Sequence, residues 1–119
     1  MRVATASGEN ADVGGRAVFV AAAVALCWLA GEDAAFRDAG ELGAAAHGLG
    51  TAHPTGFAFD LLVLRLFSFL PLGNIAWRQN VATALEAAGA LGLLAHLSSR
   101  LARGLGVEDV GARTAGGIV

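Results

Sequence analysis

The chain has 119 residues, 55% of them hydrophobic and 15% charged, with a formal net charge of −2 and a mean hydropathy of +0.61. An ordinary soluble domain carries roughly 25% charged residues, so this is the composition of a membrane protein. It excludes a disordered chain and a nucleic-acid partner, and the single cysteine excludes an internal disulfide or a cysteine-cluster metal site.

Residues 1–15 are rich in Ser, Gly, Asn, Glu and Asp, show no apolar period and end in Gly14-Gly15, which predicts a flexible cytoplasmic tail. From Ala17 to Ala30 the chain is uncharged and apolar, between Arg16 on one side and Glu32 and Asp33 on the other. A spanning helix needs ~20 residues to cross a ~30 Å hydrocarbon core, so neighbours such as Val13–Gly15 and Ala34–Phe36 must extend the run. The reading is a first membrane helix over about 16–36. A signal peptide is the rival, because its apolar centre of ~7–15 residues has this length. Against it stand Glu9 and Asp12 in a long preceding segment and the lack of an A-x-A cleavage site, while Leu26 occupies the position before Cys27 region where a lipoprotein signal needs a small residue.

The segment over about 37–73 holds Arg37, Asp38 and Glu41, a small-residue stretch, the turn His53-Pro54-Thr55-Gly56 and an apolar run from Phe57 to Leu70. That run contains Asp60 and Arg65, which suits a helix lying at the membrane interface or packed under other helices. Asp38 and Glu41 are three apart and so share one helix face. The same spacing is that of a capping box, with Asp38 bonding the Glu41 amide and Glu41 reaching back. His47, His53 and His96 lack metal-ligand spacing, so neither a metal site nor a cofactor is expected.

A second membrane helix is predicted over about 74–97, with Asn74 as its N-cap and Pro71 and Gly73 breaking the chain before it. Ala84, Ala88 and Gly92 recur every four residues on it, a stripe that lets another helix backbone approach, unless it reflects only the alanine bias of the chain. All eight basic residues are arginine. Arg2 and Arg16 precede the first helix and Arg100, Arg103 and Arg113 follow the second, which places both termini in the cytoplasm and the connecting segment outside. Residues 104–119 read as a polar tail or a truncated end. The expected architecture is an all-α membrane protein, two transmembrane helices joined by an extracytoplasmic helical loop.

Several motifs fall in one order: Asp38-x-Gly40-Glu41-Leu42, Leu49-Gly50-x-x-His53-Pro54-x-Gly56, Leu66-Phe67-x-x-Leu70-Pro71-x-Gly73-Asn74-x-Ala76-Trp77-Arg78-x-Asn80, and the alanine-rich helix behind them. In this the chain, over about Trp28 to Leu97, resembles the amino-terminal end of glycosyltransferase family 117, which includes eukaryotic transmembrane protein O-mannosyltransferases and many bacterial proteins.

The resemblance implies part of a GT-C-type bundle in a multi-pass protein of the bacterial inner membrane, residues 16–103 being its amino-terminal part. It implies transfer of a mannose-like sugar from a polyprenyl-phosphate donor to a protein or glycan hydroxyl. Asp38 matches an acidic position of the first outer loop, where a carboxylate acts as general base on the acceptor hydroxyl. Glu41 is then a second acid or its hydrogen-bond partner, and His53 and Arg78 bind substrate, with Arg78 meeting a phosphate or else snorkelling beside Trp77. The chain departs from the family at Thr55-Gly56-Phe57-Ala58-Phe59-Asp60, where members have a second proline and an aromatic-rich stretch, and at Glu86, which replaces an apolar residue. It departs most in length, which suggests an amino-terminal fragment, inactive by itself. The alternative function is a non-enzymatic two-helix membrane protein packing against a larger partner.

Overall fold

The computed structural model describes residues 3–33, 38–54 and 57–106, with side chains from residue 13 onward. All regular structure among the described residues is helical: α1 Val3–Trp28, α2 Asp38–Gly48, α3 Ala58–Ser68 and α4 Ile75–Gly104. By length and composition α4 can cross a membrane, whereas the apolar part of α1, Val13–Trp28, is shorter than a span requires. The proposed extension Ala34–Phe36, the arginines Arg2, Arg37 and Arg113, Thr55-Gly56 and the tail beyond residue 106 lie outside the described residues.

Helix α1 departs from the expected bounds at both ends. It begins at Val3, where a flexible tail was expected, because adding a residue to an existing helix costs little and no proline interrupts Val3–Trp28. It stops at Trp28 and not near residue 36, because the following carbonyls find other donors: Asn80 Nδ2 donates to Gly31 O (2.8 Å) and Asp33 O (3.2 Å), and Asn74 Nδ2 to Glu32 O (2.9 Å). Helix α4 begins as expected, with Asn74 Oδ1 accepting from the Trp77 amide at 2.8 Å. It runs on to Gly104, well past Leu97, with basic Arg103 in its last turn favouring the carbonyl end.

The chain forms two compact units, residues 1–22 with 88–119, and residues 23–87. In the first, α1 crosses α4 at glycines. A Cβ on Gly15 would lie 2.8 Å from His96 Cβ and 3.0 Å from Gly92 O, and one on Gly92 would lie 2.8 Å from Phe19 Cβ and 3.0 Å from Gly15 O. The small-residue stripe is therefore a packing feature: Gly92 meets α1, and Ala84 and Ala88 are buried as well.

In the second unit α2 packs on α3, and Ala46, Leu64 and Ala82 form a small core ringed by Leu42, Leu61, Val63 and Phe67. The apolar run after Phe57 thus forms a helix covered on one side by α2 and α4 residues, its hydroxyl Ser68 Oγ bonding back to Leu64 O at 2.8 Å. Many large apolar side chains, among them Phe59, Leu62, Leu66 and Phe69 of this segment, remain exposed. So much exposed apolar surface suits lipid or protein neighbours better than water.

Candidate active site

Helix α2 carries two of the candidate residues in its first turn, Asp38 and Glu41, where carboxylates complement the positive end of the helix dipole. It ends in a left-handed residue, Leu49 (φ 53°), and the Gly50 amide closes the end by donating to Ala45 O at 2.8 Å. The chain then turns back along α2, so that His53 reaches Glu41.

The two are joined twice. The His53 backbone N–H donates to Glu41 Oε1 at 2.8 Å, and His53 Nδ1 lies 3.2 Å from Glu41 Oε2. The backbone bond, with the ring contact second, holds the Glu41 carboxyl below the usual carboxylate range. With Glu41 ionised, the ring nitrogen that faces it, Nδ1, is the donor in this contact. The His53 ring also meets the Phe57 ring edge-on, with centroids 5.6 Å apart. His53 and Pro54 line a mainly apolar cleft of ≈480 Å³ between α2, the 49–54 turn and α3.

Glu41 therefore does not reach back to close a capping box, since both its oxygens face His53. Asp38 lies one turn before Glu41 on the same face, exposed, and among the described residues no hydrogen bond or ion pair reaches its carboxylate. The structure thus brings Glu41 and His53 into contact, with Asp38 beside them on the helix.

Arg78 is engaged elsewhere. Its Nη1 donates to Ser68 O (2.6 Å) and to Leu70 O, and its Nε to Asn74 O (3.2 Å). These bonds satisfy carbonyls at the end of α3 and hold the corner leading into α4.

Two further residues place the site without being apparent in the sequence. Gln79 is only 8% exposed, and its Nε2 donates to Gly43 O of α2 (3.0 Å) and to Ser68 Oγ of α3 (3.1 Å), tying three helices together. Its neighbours Arg78 and Asn80 stand in the quoted motif, and a glutamine opening an apolar helix was the available signal. Arg65 Nη1 donates to His47 O, capping the carbonyl end of α2, while its guanidinium lies 4.6 Å from the Phe69 ring centroid. Glu86 meets Asp60 of α3, and its Oε1 is buried without a hydrogen-bond partner, so it faces the protein interior.

Residues 38–117 match the family described as the Protein O-mannosyl-transferase TMEM260 N-terminal domain. A curated relative, Protein O-mannosyl-transferase TMEM260 of Mus musculus, is 43% identical over 65 residues, which are 54% of this chain and 9% of the mouse protein. This chain thus spans a small part of the length of the relative it matches. No solved structure matches.

Proposed function

The chain belongs to the family of the Protein O-mannosyl-transferase TMEM260 N-terminal domain, and on that premise we propose that it supplies the amino-terminal part of a membrane glycosyltransferase of family 117. The enzyme moves a mannose-like sugar from a polyprenyl-phosphate donor to a protein or glycan hydroxyl, in a GT-C-type bundle with the α2–α3 segment outside the cytoplasm. The observation that carries this reading is the Glu41–His53 pair on the helix that begins at Asp38, with His53 lining an apolar cleft.

Asp38, exposed and uncommitted, is the general base that takes the proton of the acceptor hydroxyl as that oxygen attacks the anomeric carbon. The bond from that carbon to the lipid phosphate breaks, and the phosphate leaves with the electron pair. Glu41 acts through His53, fixing the ring and its tautomer so that Nε2 faces substrate. Arg78 holds the α3–α4 corner with Nε and Nη1 and offers Nη2 to a phosphate oxygen. Residues 1–119 alone do not transfer sugar in this reading, because the remaining walls of the donor site come from further helices.

The test is a chimera in which this segment replaces the matched segment of the mouse relative. Mannosyl transfer by the chimera, lost on Asp38→Asn at equal protein level, supports the reading. A chimera that transfers normally with Asp38→Asn removes the catalytic assignment. The non-enzymatic two-helix reading is disfavoured by the crossing in the unit of residues 1–22 and 88–119, where α1 already occupies the Gly92 face that an outside partner would use.

A further inference from the structure

We propose that the groove between α1 and α4 in the unit of residues 1–22 and 88–119 binds an anionic phospholipid, with Arg16 at the headgroup phosphate and an acyl chain along the glycines of α4. The groove is ≈390 Å³ and is lined by Arg16, Phe19, Gly89, Gly92, Leu93 and His96, together with Gly15 beneath. Its floor is the glycine crossing, where the two backbones touch so closely that neither Gly15 nor Gly92 has room for a Cβ. One turn away the opposite holds: a Cβ on Gly89 would meet nothing within 4 Å, so the groove is open there.

The walls and the end of the groove differ in chemistry. Phe19 and Leu93 are large apolar side chains left exposed along it. Arg16 stands exposed at its polar end, and no hydrogen bond or ion pair engages it among the described residues. Arg100 follows His96 one turn further along α4, so a second cation stands where the apolar run stops. An apolar groove ending in cations matches the chemistry of a phospholipid, an acyl chain below a net negative headgroup. The inference rests on the membrane placement of α4 and is independent of sugar transfer, so its failure would leave the catalytic reading standing.

The test uses the full 119-residue chain, equilibrated in phosphatidylcholine vesicles with and without phosphatidylglycerol. Lipid still bound after detergent extraction is identified by native mass spectrometry. Wild type retains phosphatidylglycerol over phosphatidylcholine, Arg16→Lys keeps that preference, and Arg16→Gln lowers it about fivefold, as expected for losing one cation near an anionic headgroup. Gly89→Leu fills the slot and removes retained lipid of either kind. Equal preference in wild type and Arg16→Gln overturns the proposal. So does displacement of the lipid by inorganic phosphate together with no effect of Gly89→Leu, which would mark a plain anion site. If circular dichroism shows that Gly89→Leu has lost helix, the Arg16→Lys and Arg16→Gln pair decides.

Discussion

Glu41 and His53 are twelve residues apart and joined through both the backbone and the ring of the histidine, so one carboxylate pins the whole 49–54 turn onto α2. The arrangement holds the imidazole against the helix that begins at Asp38 and presents it to an apolar cleft. Its consequences can be measured.

The first consequence concerns acid. The Glu41 carboxyl is held below its ordinary value by the His53 amide and then by the ring. A depressed carboxyl stabilises the structure above its unfolded-state pKa, and that contribution disappears as pH falls through the folded-state value. The turn should therefore be attached at neutral pH and released below the usual carboxylate range. Hydrogen exchange at the His53 amide, followed against pH, should accelerate at the acid end in wild type. Glu41→Gln, which has no proton to gain, should show no such step, and a step of equal size in that variant would mean that another group holds the turn.

Asp38 and Glu41 separate in role once their surroundings are compared. In the chimera, Asp38→Asn should cut sugar transfer by roughly 10²-fold or more, because asparagine keeps the size of the side chain but cannot accept the proton. Glu41→Gln retains an oxygen for the His53 amide and should cost less. Rates compared at equal membrane insertion check the order, and an equal loss in both variants would contradict it.

Gly92 and Gly89 make a matched pair three residues apart on α4. Gly92→Ala must push Phe19 or the Gly15 carbonyl aside, which should cost about 1–3 kcal/mol of overpacking. Gly89→Ala meets nothing and should be neutral or stabilising by up to ~1 kcal/mol through helix propensity. Thermal unfolding of the chain in detergent distinguishes the two. Equal melting temperatures would mean that α1 does not cross α4 at Gly92.

Gln79 and Gly43 should behave as a coupled pair. A Cβ on Gly43 would come within 2.6 Å of Gln79 Oε1, and Gln79→Ala leaves the Gly43 carbonyl without its donor. Each single substitution should cost about 1–3 kcal/mol, by clash or by an unmade buried hydrogen bond. The Gly43→Ala/Gln79→Ala double variant should cost less than the sum, because the shortened side chain no longer clashes. Strict additivity in a denaturation series would remove Gln79 as the link between α2 and α4.

Topology rests on the arginine flanks. A reporter fused after Leu49 should report outside the cytoplasm and one at Arg113 inside it, on opposite sides of α4, while a fusion at Ala4 decides whether α1, with its shorter apolar part, crosses as well. A cytoplasmic Leu49 fusion would separate Asp38, Glu41 and His53 from any outward-facing donor.

Composition and periodicity alone determined that this is a helical, membrane-suited chain, that α4 starts at the Asn74 cap, and that the run after Phe57 is a covered helix. Each of these rests on local chemistry: a capping oxygen three residues from an amide, or an apolar run too charged to span and too apolar to be free. The order of the motifs carried the family. Spacing left open what three residues touch, and the tertiary contacts decide that. A D-x-x-E spacing suits a cap as well as a site, and only the return of the chain at Leu49 and Gly50 brought His53 to Glu41 and gave that carboxylate another partner. The partners of the arginine beside Trp77 were equally hidden: the end of α3 puts the Ser68 and Leu70 carbonyls at its guanidinium, besides that of Asn74. The stripe through Gly92 had two readings until α1 met it at Gly15. In each case the residue can make more than one kind of contact, so its surroundings depend on which donor, acceptor or backbone the fold brings within reach, and neighbours twelve or seventy-seven residues away leave no mark in a local pattern.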